Sequence, residues 1–218
     1  MALNSRTARL LVNAGILLAI LVSFSLHPIA ARALGDDATN ALPNFPDFLD
    51  SVKTGEVNVV RGVYVPGVFA YRVAQQPVDN PSFLSSKEDR VTQFRMAAKY
   101  GTVGLVAHNY LAGASFFDLE VGDKVRVVYG DGKVEVFVIS EILRYQALQP
   151  NSPYSSFRNV ERDETLTVSE MFKRVFVSDG HVTFQTCIER DGVWTWGRLF
   201  VIAIPKAEYS QLKASQSN

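Results

Sequence analysis

The chain has 218 residues, 22 Lys and Arg against 22 Asp and Glu, and one cysteine. That length suffices for one domain with a proper core plus a further segment. A formal net charge of zero without a basic run gives no reason to expect a nucleic-acid partner, and a single cysteine excludes an internal disulfide framework while leaving one free thiol.

Arg6 and Arg9 precede an apolar run from Leu10 to Leu26, broken by Asn13, and Ala31-Arg32-Ala33 supplies a small-x-small cleavage signal. This is the pattern of a secretory leader over residues 1–33. A run of about 17 residues is also near the lower limit for spanning a bilayer, so an uncleaved signal anchor is the rival reading. Residues 34–56, with Pro43 and Pro46, read as a linker, with Phe45 and Phe48 able to dock as a short turn instead.

From Val57 onward the chain is rich in β-branched and aromatic residues. Val57 to Tyr64 and Val68 to Val73, around Val65-Pro66-Gly67, predict an opening strand pair. Ser86 before Lys87-Glu88-Asp89, with Val91, Phe94, Met96, Ala97 and Ala98 on one face, predicts a helix from Lys87 to Tyr100. Thr102 to Ala107 is an uncharged run that suits a buried strand, and His108 follows it directly. Tyr110 to Phe117 is a loop of small residues, placed to line a substrate groove.

Gly130-Asp131-Gly132 joins strands Lys124 to Tyr129 and Lys133 to Tyr145 in a hairpin, and Gln146 to Glu164 reads as a long loop. Thr167 with Glu170 forms a capping box for a helix through about Phe176. Ser178-Asp179-Gly180 then turns into a strand ending at Cys187, and Asp191-Gly192 signals a tight hairpin to a strand from Thr195 to Ile204. Residues 206–218 read as a polar, mobile tail. Strands outnumber helices, which predicts a mostly β domain over residues 57–205.

The lone thiol carries the chemical question. A cysteine titrates at about 8.5 in water, so reactivity at neutral pH has to be induced by a neighbouring cation or base. With Asp191 and Gly192 as the loop, Cys187 falls opposite Trp196 and Arg198 lies diagonally across on the same face, roughly 7–8 Å away between backbones. A three-residue loop would shift the register by one and part them. His27 lies in the leader, His181 is about 20 Å along the strand from Cys187, and Arg190 sits at the hairpin loop. An inert packing thiol is the alternative, since free cysteines are commonly buried. The histidines are dispersed, there is no second cysteine and no Gly-rich phosphate loop, so no metal site or cofactor is expected.

Thr183-Phe184-Gln185-Thr186-Cys187, leading through a hairpin to Arg198-Leu199-Phe200-Val201, resembles the signature of the sortases, cysteine transpeptidases of bacterial surfaces whose nucleophile closes a Thr-Leu-x-Thr-Cys strand. Phe184 stands where Leu is commoner. Gly104-Leu105-Val106-Ala107-His108-Asn109 is similar to the strand end that carries the family's histidine, and Phe117-Asp118-Leu119 with Gly122-Asp123 to the segment after it. The resemblance covers residues 57–205. It implies a closed eight-stranded β-barrel with a few short helices, and acyl transfer in which Cys187 attacks a sorting-signal peptide, His108 moves protons and Arg198 stabilises the oxyanion or holds the peptide. It further implies a sorting-signal-bearing protein substrate, an amine acceptor of cell-wall or pilin type and an extracytoplasmic location, secreted or anchored to the membrane by the N-terminal segment. Thr186 offers its hydroxyl to the oxyanion or is simply a strand residue. Asp118, Glu120 and Asp123 are either a solvated loop or, as in some sortase relatives, calcium ligands. A secreted cysteine peptidase and a non-catalytic β-barrel binding module remain the alternatives.

Overall fold

Alternation of apolar and polar residues builds the strands, and the way they pair determines the architecture. The computed structural model describes residues 42–216. These carry strands β1 (Val60–Val65), β2 (Phe69–Gln75), β3 (Arg90–Gln93), β4 (Val103–Val106), β5 (Lys124–Tyr129), β6 (Val134–Ala147), β7 (Phe157–Asn159), β8 (Thr165–Leu166), β9 (Val182–Arg190) and β10 (Val193–Pro205). The order in the sheet is β10-β9-β4-β3-β2-β1-β5-β6-β7-β8, and an additional β10–β6 pairing closes the first eight into a barrel, with β7 and β8 extending from β6. The closed eight-stranded barrel that the resemblance implied is therefore present. Closure leaves only short edges to manage.

Inward positions of the barrel form one apolar core that includes Val63, Val65, Phe69, Val91, Leu105, Val127, Ile139, Phe184, Leu199 and Val201. Because side chains alternate, Gln185 and Cys187 on β9 and Arg198, Phe200 and Ile202 on β10 project from the outer face. Helix α3 (Val168–Phe176) covers one end of that face, where Met171, Val175 and Phe176 pack with Leu143, Tyr145, Phe200 and Ile202. Its N-terminus carries the predicted capping box: the Thr167 hydroxyl accepts from Glu170 N–H and the Glu170 carboxylate accepts from Thr167 N–H.

Four expectations need correction. Lys87 to Tyr100 is not one helix but β3 followed by the single-turn α2 (Arg95–Ala98). Val91 fills the barrel core with no exposure and β3 pairs in parallel with β2, so barrel closure overrides the helical spacing of the apolar residues. The expected linker contains α1 (Phe45–Val52), capped by the Asn44 side chain, which accepts from Asp47 N–H. Phe48 and Val52 are buried beside Tyr64 and Val128, and Gly62 leaves the room they need, since a Cβ there would lie 2.9 Å from the Phe48 ring. The expected polar tail forms α4 (Lys206–Gln216). In the expected long loop, β6 runs on to Ala147 and β7 pairs with it. The expected leader or signal anchor, residues 1–33, lies outside the described residues. Among those described, no helix is long and apolar enough to cross a membrane.

Candidate active site

Cys187 lies near the end of β9, half-buried, with β4 on one side and β10 on the other. On the β10 side Arg198 is its direct antiparallel partner. Directly opposed residues have Cα atoms about 4.5–5.5 Å apart, closer than the diagonal expected from a regular hairpin. The hairpin turn is where it was predicted, since Arg190 pairs with Val193, and Asp191 and Gly192 both take positive φ. The difference is a bulge. Between the Arg190–Val193 and Ile188–Gly197 pairs, Glu189 of β9 faces Trp194, Thr195 and Trp196 of β10. Two surplus residues slide β10 along while preserving the face, so Arg198 meets Cys187 squarely.

On the other side, β4 and β9 run parallel with Leu105 beside Phe184 and Val106 beside Gln185. Ala107 N–H donates to Gln185 O at 3.2 Å, and the Thr186 hydroxyl donates to Ala107 O at 3.0 Å. Continued two residues past the end of β4, that register would set His108 level with Cys187; adjacent strands are about 4.8 Å apart. Cys187 and Arg198 are thus paired on neighbouring strands, and His108 follows the end of β4, the other neighbour of β9.

The backbone around His108 is tied down. Its carbonyl accepts from both Leu111 N–H and Gly113 N–H at 3.0 Å, at the start of the 3-10 helix Ala112–Asp118. Gly113 is required by close approach: a Cβ there would collide with the Thr186 hydroxyl and lie 2.7 Å from His108 O. Thr186 is fully buried and its hydroxyl proton is committed to Ala107 O, so it supports the His108 segment and has no route to an oxyanion. The Arg198 guanidinium folds back on the bulge, with Nη1 donating to Thr195 O at 3.0 Å and to Gly197 O at 2.8 Å. That leaves Nε and Nη2 as further donors on the half-buried fork.

The decoys separate clearly. Arg190 lies over the Trp196 ring at 4.9 Å. His181, at the start of β9, sits 3.6 Å from the Glu208 carboxylate on α4 and 3.4 Å from the Ser178 hydroxyl. In the loop after the 3-10 helix, Glu120 N–H donates to the Asp123 carboxylate. Among the described residues no group of three His, Cys, Asp or Glu side chains is arranged to hold a metal ion.

Two residues back from His108 and Cys187 on the same face, Val106 and Gln185 form the floor of a cleft of about 220 Å3, walled by Leu84, Phe94 and Pro81. A wider apolar groove of about 650 Å3, between Met96, Tyr100, Val168 and Phe172, contains none of the three residues and lies along α2 and α3. Reasoning from the sequence missed the aromatic rim of the site. Tyr110 stacks on His108 with centroids 5.1 Å apart and meets Trp194 edge-on at 5.9 Å. The signals available were Tyr110 in the loop expected to line a groove and two tryptophans right after a hairpin turn.

No protein-family model and no curated protein matches the chain. Solved structures do. Those it is similar to include sortases. Sortase A of Listeria monocytogenes is 15% identical, with 68% of this chain and 87% of that chain covered and a TM-score of 0.44. Sortase C1 of Streptococcus suis is 14% identical over 73% of this chain and 76% of that one, with a TM-score of 0.45. Sortase A of Corynebacterium diphtheriae is 13% identical over 74% and 69%, with a TM-score of 0.47. A likeness to sortases at this level decides no residue's role; that rests on strand register and chemistry.

Proposed function

We propose that the chain is a sortase-like cysteine transpeptidase that cleaves a sorting-signal peptide bond and passes the acyl group to an amine. The observation that carries the reading is strand register: Cys187 pairs with Arg198 on β10, and β4, whose end His108 follows by two residues, runs parallel beside β9. A base, a cation and a thiol on one half-buried face supply what nucleophilic catalysis needs.

The Cys187 thiolate attacks the scissile carbonyl carbon, and the resulting oxyanion takes hydrogen bonds from the Arg198 fork. The C–N bond breaks as the His108 imidazolium gives its proton to the departing nitrogen, leaving an acyl thioester on Cys187. The incoming amine attacks that thioester, His108 takes the proton, the C–S bond breaks and the thiolate is restored. The acyl side of the peptide runs over Val106 and Gln185, where an apolar wall and a side-chain amide suit an extended chain. The leader-like pattern in residues 1–33 supports action outside the cytoplasm, on a sorting-signal-bearing protein with a cell-wall or pilin amine as acceptor.

Incubating the full chain with a peptide library, with and without an amine acceptor, and weighing the protein by mass spectrometry tests this. A thioester adduct on Cys187 and an amine-dependent ligated product are expected, both absent in Cys187→Ala. A native thiol that resists alkylation but reacts after denaturation would instead identify a packing cysteine.

A further inference from the structure

Tyr110 and Trp194 are 61% and 59% exposed, yet they form a continuous aromatic chain with His108. Burial of apolar surface does not account for so open an arrangement. The planes of His108 and Tyr110 are only 20° apart, a parallel stack, and Trp194 meets Tyr110 at 81°, edge to face. A second tie joins the same two segments, since the Asn109 amide donates to Trp194 O at 3.4 Å. Trp194 is the first of the three residues in the β10 bulge, and Arg198 grips the carbonyl of Thr195 in that bulge. Thr195 in turn donates to the Asn151 side chain at 3.3 Å, bracing the bulge from the loop after β6.

We infer that Tyr110 is a positioning residue for His108, and that the β10 bulge aligns both neighbours of Cys187 at once, setting Arg198 by register and the His108 ring through Trp194 and Tyr110. The imidazole stands on a segment just beyond β4, where the ladder no longer holds it. Backbone bonds from Leu111 and Gly113 fix the His108 carbonyl but not the rotation of its ring. A flat partner on one face restricts that rotation. Because Tyr110 is itself exposed, it needs Trp194 to hold it. The role needs the aromatic face and not the phenol hydroxyl, so phenylalanine suffices at position 110.

The proposal rests on His108 serving as the acid and base of the reaction. The test uses the full chain and four variants: Tyr110→Ala, Tyr110→Phe, Trp194→Ala and the double alanine variant. A fall in kcat of about tenfold with KM within about twofold is expected for either alanine, because misplacement of a catalytic group is felt in the chemical step. Tyr110→Phe keeps wild-type kcat, and the double variant is no worse than the poorer single one, since both act through one ring. Wild-type kcat in Tyr110→Ala, an equal loss in Tyr110→Phe, or additive losses in the double variant each overturn the proposal. NMR of the His108 ring protons separates this from failure of the functional reading. The upfield displacement caused by the stacked Tyr110 ring disappears in Tyr110→Ala, and its persistence there overturns the clamp whether or not any peptide is turned over.

Discussion

Arg198 does more with its shape than with its charge. Its Nη1 is anchored on two carbonyls of its own strand, so the fork is fixed while Nε and Nη2 remain to donate. Lysine preserves the charge but has a single rotatable head, and it would lose either the anchor or the oxyanion contact proposed for this side chain. Arg198→Lys is therefore expected to fold normally and to lower kcat about a hundredfold, the cost of removing one oxyanion donor; circular dichroism and steady-state kinetics check the two halves. Gly113 acts by absence. Adding a methyl group would push against Thr186 and His108 O together, neither of which can yield without loosening the β4–β9 end. Gly113→Ala is expected to cost about 1–3 kcal/mol in urea denaturation and to impair catalysis in the molecules that remain folded.

At the scale of elements, the bulge in β10 is the feature with most consequences. A regular two-residue hairpin would have left Arg198 opposite Gln185, a diagonal neighbour of the thiol. Two extra residues move it alongside Cys187 and turn Trp194 toward Tyr110. Helix α1 has a different task. It lies on the outer face of β1 and β5, where Phe45 and Phe48 contact Tyr64, and Arg126 caps the Phe45 ring at 4.4 Å. Since β1 and β5 are not neighbours of β9 in the barrel, this packing stabilises the fold without touching the site. Phe48→Ala should lower unfolding stability by about 3 kcal/mol through loss of buried ring surface, with kcat per folded molecule unchanged. A proportionate loss of kcat would show that α1 is coupled to the thiol.

For the molecule as a whole, the β6–β10 pairing makes a barrel out of what would be an open sheet, and α3 then divides the outer face of β4, β9 and β10 into a covered end and an open end. The thiol stands at the open end, next to the cleft over Val106 and Gln185. Tyr145, the β6 partner of Arg198, is fully buried, and its hydroxyl donates to Glu164 at 2.6 Å. Burial, followed by the Glu164 carboxylate, pushes its phenol above the ordinary range, so it stays neutral and ties β6 to the β7–β8 connection across physiological pH.

Local chemistry was enough to make several features readable from the chain. Thr167 and Glu170 cap a helix because their bonding partners are three residues apart, and Gly132 and Asp191-Gly192 turn the chain because their backbones adopt conformations other residues resist. The strand ending at Cys187 and the uncharged run before His108 were legible for the same reason. Residues 87–100 misled because their apolar spacing fits a helix, whereas Val91 belongs to a core assembled from strands far away in sequence. Phe48 gave too little local signal for a helix that exists because Tyr64 and Val128 receive it. The sequence alone determined which side chains have the chemistry, because a thiol, an imidazole and a guanidinium are properties of residues. Only the tertiary structure decided that Arg198 faces Cys187 directly and that Tyr110 stacks on His108 with Trp194 against it, because a bulge and a parallel pairing between distant segments leave no periodic trace in the chain.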